Sequence, residues 1–268
     1  LKVGVIGCGF IGPVLAKTIE DWDEIDLVIM YDRSFDVARE CVSGHDKMEM
    51  VEDPEDLIRG SDIVVEAASQ GAVAEFGGKV LASGKDLIIM SVGALVDGEL
   101  YNRLKAAAKG SGARIYIPSG AIAGIDGVCS AAVSGITSIS LTTRKPPQGF
   151  KGSKVVADRG ININEVKDEV ILFEGSATEA VSMFPKNINV AAIISLAGTG
   201  FKETSVRVIM DPKTSRNTHV VECEGRFGKF RIELENVPSF TNPRTSYLAS
   251  ISAIATLRKV VTGVWIGV

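Results

Sequence analysis

Three glycines near the start of the chain constrain its fold more than any other feature. Gly7, Gly9 and Gly12 stand in G-x-G-x-x-G spacing between the apolar run Val3–Ile6 and the amphipathic stretch Ile11–Glu20. The spacing alone is weak, because glycine is common; between a strand and a helix it has a mechanism. Gly7 permits a tight turn, Gly9 lets the backbone approach a pyrophosphate, and Gly12 lets the helix pack close to the strand. The helix start, with Phe10 and Ile11 leading into it, offers unpaired N–H groups and a positive dipole end to phosphate. Asp32 ends the next apolar run, twenty residues after Gly12, where a carboxylate accepts hydrogen bonds from the adenosine ribose. Together these residues predict a dinucleotide site. Asp32 repels a 2′-phosphate and favours NAD; the adjacent Arg33 can pair with a phosphate, which keeps NADP open as the alternative.

The pattern around the loop sets the fold class. Val3–Ile6, Leu27–Tyr31, Ile63–Ala67, Leu87–Met90 and Ile115–Ile117 are short apolar runs, each suited to a strand buried on both faces. Amphipathic segments lie between them at Ile11–Glu20, Phe35–Val42, Ala72–Ala82 and Glu99–Lys109. This alternation predicts an α/β fold with an N-terminal doubly wound parallel sheet, the Rossmann arrangement. Ligands bind such sheets at the carboxyl ends of the strands, so Ala67 and Ser69, and the Ser91–Gly93 loop, are further cofactor candidates. After Pro118 the pattern changes. Gly120–Ala131 reads as a short helix, and Ile139/Leu141/Thr143, Val206/Val208/Met210 and Phe230/Ile232/Leu234 alternate with polar neighbours. Period-2 alternation predicts a mainly antiparallel sheet with one covered face. Ser176-x-x-Glu179 is a capping box before Ala180–Phe184, and Asn189 precedes the apolar run Val190–Ala197. A helix over Arg244–Val261 closes the chain. The expected organisation is a Rossmann domain over 1–119, a second α+β domain over 120–242, and a helical segment 243–268 that completes the first.

Composition limits the class of partner. A net charge of −4 provides no broad basic surface for nucleic acid or an anionic membrane. The four cysteines, Cys8, Cys41, Cys129 and Cys223, form no C-x-x-C pair, so neither a disulfide framework nor a metal site is expected. No apolar run reaches membrane-spanning length, and the first residues read as a strand rather than a targeting segment. The expectation is a cytoplasmic protein acting on small molecules.

Chemistry at a carbon bearing OH or NH needs a group that moves a proton. Only two histidines are present. His45 lies in a polar stretch that reads as a solvated loop and is given no role. His219 shares strand parity with Val221 and Cys223, which suits a hydrogen-bonded core histidine; it is also the one imidazole of the second domain, near a strand start. Both readings stand. Lys186-Asn187-Ile188-Asn189 precedes an apolar helix: Asn189 can cap that helix, or one of the amides can contact the nicotinamide ribose or carboxamide, with an anionic substrate near Lys186. Arg144-Lys145 ends a strand, either as a solvated face or as a carboxylate clamp. Lys145, Lys186, Arg207 and Arg244 are the cationic candidates for substrate carboxylates, and Asn187 is a further substrate candidate.

Several of these segments together resemble the L-aspartate dehydrogenases over essentially the whole chain. They are Gly7-Cys-Gly-Phe-Ile-Gly12, Ser91-Val-Gly-Ala-Leu95, Ser119-Gly-Ala-Ile-Ala-Gly-Ile-Asp126, Thr143-Arg-Lys-Pro146, Phe184-Pro-Lys-Asn-Ile-Asn-Val-Ala-Ala192, Asn217-Thr-His219 and Asn242-Pro-Arg-Thr-Ser246. The resemblance implies NAD(P)-dependent oxidation of L-aspartate to iminoaspartate, then oxaloacetate and ammonia, with a link to NAD biosynthesis. It places the family's active-site histidine on His219 and dinucleotide contacts on Ala121 and Asn189, and it implies a homodimer through the second domain's sheet. The rival readings are another two-domain dehydrogenase acting on a sugar, a semialdehyde or dihydrodipicolinate, and a non-catalytic NAD(H)-binding regulator.

Overall fold

The computed structural model describes residues 1–184, 189–239 and 245–267. Lys186, Asn187 and Arg244 lie outside the described residues. The chain divides into two compact units, Leu1–Gly120 with Ser250–Ile266, and Ala121–Ala249 with Gly267.

The first unit is a six-stranded, all-parallel sheet. Its strands are β1 (Lys2–Ile6), β2 (Leu27–Tyr31), β3 (Met48–Met50), β4 (Ile63–Glu66), β5 (Asp86–Ile89) and β6 (Ile115–Tyr116), in the order β3-β2-β1-β4-β5-β6. Connecting helices are α1 (Ile11–Ile19), α2 (Phe35–Val42), α3 (Pro54–Gly60), α4 (Gln70–Ala82) and α5 (Gly98–Ser111). Val3, Val5, Val28, Met30, Val64, Val65, Ile88 and Ile89 are all buried, which is why the strands read as unbroken apolar runs. The order reverses between β1 and β4, so the glycine loop after β1 opens at the point where such sheets bind ligands. Two elements go beyond the expected ones: β3, the edge strand, and α3, which packs on β1 and β2 and is capped by Asp53 accepting from Glu55 N with Pro54 in the first turn. His45 lies in a loop whose Ser43, Gly44 and Asp46 are exposed, as expected, but its ring is partly covered. Its ring Nδ1 sits 2.7 Å from Glu20, and its side chain is only 20% exposed.

The second unit holds α6 (Ile125–Ser134), β7 (Ile136–Lys145), α7 (Lys154–Asp158), β8 (Val170–Ser176), α8 (Ala177–Met183), α9 (Asn189–Ala197), β9 (Thr204–Met210), β10 (Asn217–Gly225) and β11 (Gly228–Asn236). The helix expected from Gly120 starts at Ile125 instead, because Gly120 and Gly124 take φ of 66° and 72° and hold the chain out of helix. The sheet order is β11-β10-β7-β9-β8; every pair is antiparallel except β7 with β9. One face is covered by α8 and α9, whose Ala177, Ala180, Ala191, Ala192 and Ile194 are buried. The capping box at Ser176 and Glu179 is formed. α10 (Tyr247–Thr262) starts in the second unit and runs into the first, where Gly120 N donates to Ser252 Oγ and Trp265 stacks on Tyr116.

Candidate active site

In the first unit the three glycines divide their tasks by space. Gly7 has φ of 108°, and a Cβ there would meet the Ala67 carbonyl at 2.8 Å. A Cβ on Gly12 would come within 2.0 Å of the Gly7 carbonyl oxygen, so α1 lies on the loop as only glycine allows. A Cβ on Gly9 would meet nothing within 4 Å among the described residues, so its bareness serves none of those neighbours. Phe10 occupies the N-cap of α1 without a side-chain cap, and Ile11 begins the helix. Asp32 accepts one hydrogen bond from Cys8 N (2.8 Å) and another from Ser34 N (2.9 Å), one on each oxygen. It therefore braces the glycine loop while keeping lone pairs for a ribose. Arg33 is 72% exposed and pairs with Glu75 at 2.7 Å, which offsets the charge a 2′-phosphate would need. Gly7, Tyr31, Asp32, Arg33, Ser69 and Phe76 line a cleft, and Ser69 caps α4 by accepting from Ala72 N. A cradle with open space over Gly9 and a braced carboxylate fits a dinucleotide.

Glu66, at the end of β4, is a residue the sequence reading passed over. It is 2% exposed, yet its carboxylate accepts from Ala68 N, Ser69 N, Ser91 N and Ser91 Oγ at 2.8–2.9 Å. Burial pushes its pKa up, against the pull of the Ser91, Ala68 and Ser69 hydrogen bonds. The available signal was a lone acid closing an otherwise apolar buried strand.

In the second unit the covered face of the sheet carries a polar cluster. His219 on β10 is opposite Thr143 on β7, and the ring Nδ1 shares a 3.0 Å hydrogen bond with the Thr143 hydroxyl. His219 is 2% exposed and Lys145 4%. Burial, helped by the Lys145 charge, lowers the imidazole to about 3. Burial lowers the Lys145 ammonium to about 8. Lys145 is thus no solvated side chain. The expected Arg144–Lys145 clamp splits, since neighbouring strand residues face opposite ways; Arg144 pairs with Glu169 and Asp211. Arg207 also points away from this cluster: it stands beside Thr142 in the register and pairs with Glu174. Asn189 is the first residue of α9 rather than its cap, so the capping position falls outside the described residues.

Two amides on the covered face were also missed. Asn217 is fully buried two residues before His219, and among the described residues neither its Oδ1 nor its Nδ2 has a partner. Asn236, opposite it on β11, donates from Nδ2 to the Ala121 carbonyl at 2.8 Å. Ala121 is thereby held in place by the second unit's own sheet. Alternation marked this face as buried, but could not tell buried polar residues from exposed ones.

Family models match both parts of the chain. Residues 126–260 match the family model described as aspartate dehydrogenase, C-terminal; residues 7–118 match the NAD-binding domain of homoserine dehydrogenase. The chain is 47% identical to an L-aspartate dehydrogenase of Methanosarcina mazei over 100% of this chain and 99% of that one. It is 29% identical to the crystal structure of aspartate dehydrogenase from Thermotoga maritima, with a TM-score of 0.77 and 99% of each chain covered. GenD2 from gentamicin A biosynthesis, solved with NAD, shares the fold at a TM-score of 0.59 and 15% identity.

Proposed function

The chain belongs to the L-aspartate dehydrogenase family, and from that premise we propose that it oxidises L-aspartate to iminoaspartate, which water converts to oxaloacetate and ammonia. The observation that carries the proposal is the buried imidazole of His219, bonded to Thr143 beside Lys145. NAD(P), held by the Gly7–Gly12 loop and Asp32, supplies the hydride acceptor. The residues named for it, Gly7, Gly9, Phe10, Ile11, Gly12, Asp32, Arg33, Ala67 and Ser69, belong to the first unit; Ala121 and Asn189 belong to the second.

The substrate amine must lose a proton before hydride leaves Cα, because the nitrogen lone pair forms the new C=N bond. A neutral His219 can take that proton. With Nδ1–H donating to Thr143, the Nε2 lone pair is available. In the free protein the imidazole is far too acidic to hold a proton at neutral pH. Two substrate carboxylates reverse the local field, raising both His219 and Lys145 toward their charged forms. Lys145 pairs with one carboxylate. After imine formation His219 releases its proton to solvent, takes one from the attacking water and passes it to the departing nitrogen, so that the carbinolamine collapses to oxaloacetate and ammonia.

Iminoaspartate that leaves the site before water attacks is a suitable precursor for NAD biosynthesis. A homodimer and a cytoplasmic setting are part of the same reading; among the described residues no helix is long and apolar enough to cross a membrane. Asp32 together with the Arg33–Glu75 pair favours NAD over NADP.

The test is nicotinamide reduction with L-aspartate set against other amino acids, hydroxy acids and sugars. Turnover confined to L-aspartate is expected. His219→Ala should lower kcat by about 10²-fold or more, the usual worth of a proton-transfer group, with NAD affinity nearly intact. Survival of kcat within a few-fold would remove His219 from the chemistry.

A further inference from the structure

Glu66 has a geometry that a structural acid does not need. It closes a strand whose other residues, Ile63, Val64 and Val65, are buried and apolar. An acid in that position loses its hydration, and only several strong donors offset the loss. Four donors are present, and they come from two different loops. Ala68 N and Ser69 N belong to the loop after β4; Ser91 N and Ser91 Oγ belong to the loop after β5. All four are donors, so the ionised, acceptor-only form fits and a protonated acid does not.

The first loop is also in contact with the glycine turn. The Ala67 carbonyl and Ala68 Cα lie where a Cβ on Gly7 would be, at 2.8 Å. Ala68 and Ser69 line the dinucleotide cleft with Gly7, Asp32 and Arg33. Glu66 itself does not line it. A continuous set of contacts therefore runs from the Glu66 carboxylate, through two backbone N–H groups, to the peptide on which the glycine turn rests.

We propose that Glu66 is a positioning residue for the dinucleotide: its carboxylate fixes the Ala67–Ser69 rim against the glycine turn and locks that rim to the Ser91 loop. It acts through those loops, without touching the cofactor. The proposal rests on the dinucleotide site of the first unit and is independent of which substrate is oxidised.

Glu66→Gln tests the charge at constant shape. The amide oxygen can still accept from Ala68 N, Ser69 N and Ser91 Oγ at the Oε1 position, but the NH2 group takes the Oε2 position and meets Ser91 N, donor against donor. The Kd for NADH, measured by its fluorescence with no amino-acid substrate present, should rise about ten-fold, the order of one charge-assisted hydrogen bond. KM for NAD should rise alongside it, while KM for L-aspartate should not. Amide hydrogen exchange at Ala68, Ser69 and Ser91 should speed up in the free variant. Ser91→Ala removes one donor and keeps the rest; it should give a smaller rise in Kd of the same kind, and it stands in should Glu66→Gln fail to fold. Folded variants that bind NADH within two-fold of the original and show unchanged exchange would overturn the assignment. Wild-type protein that binds NADH yet fails to turn over L-aspartate would count against the proposed activity and leave this inference standing.

Discussion

Lys145 is where function and stability are most plainly opposed. In the unfolded chain its ammonium has an ordinary value of 10.5; burial lowers it to about 8 in the folded protein. Below pH 8 both states hold the proton, and folding bears the whole cost of the buried charge, about 3 kcal/mol. Between pH 8 and 10.5 the unfolded chain binds more protons, so stability rises with pH and the cost disappears. Lys145→Met should therefore raise the unfolding free energy by roughly 3 kcal/mol at pH 7, but by under about 1 kcal/mol at pH 10. Urea titrations at the two pH values check this; an equal gain at both would mean that charge burial is not the cause. The same variant should bind L-aspartate poorly. His219 works in the same sense on the acid side. Its folded value of about 3 lies below 6.5, so stability is full above 6.5 and declines as pH falls through that window.

Elements were legible in proportion to their regularity. β2 and α2 fall where apolar runs and helical spacing put them, because nothing interrupts either pattern. β3 has only three residues, too few for a period to show. In β8 the register shifts between Ile171 and Phe173, so the bulge scrambles its alternation. The site was legible by the same rule. The glycine spacing announced a loop, whereas Glu66 and Asn236 owe their places to partners from distant segments, Ser91 and Ala121.

The glycine turn permits a paired test at this scale. Gly12→Ala puts a methyl 2.0 Å from the Gly7 oxygen, and α1 must move off β1. Gly9→Ala meets no atom of the described residues within 4 Å. Thermal melting should drop for the first by several degrees, as expected for overpacking of about 1–3 kcal/mol. The second should melt normally but bind NADH weakly. Normal NADH binding by Gly9→Ala would mean that no phosphate approaches there.

At the level of the whole molecule, the first unit is not continuous in sequence. Its last part, Ser250–Ile266, adds buried Ala253 and Leu257, the Ser252 hydroxyl that receives Gly120 N, and an Arg258–Glu24 pair with Arg258 over Trp22. A fragment ending at Gly120 should expose that apolar surface. It should melt lower, bind a hydrophobic dye, and bind NADH less well than the full chain. A fragment that melts and binds like the intact protein would show that the returning helix is dispensable.

The return of the chain to its starting unit also sets an order of events on the ribosome. The glycine loop emerges before the second unit, yet the unit that carries it lacks its closing helix until that second unit has been made. At about 5–20 residues per second, the nascent chain spends many seconds with that surface uncovered. The intervening unit can fold meanwhile, so of the two units the one begun first is the one completed second.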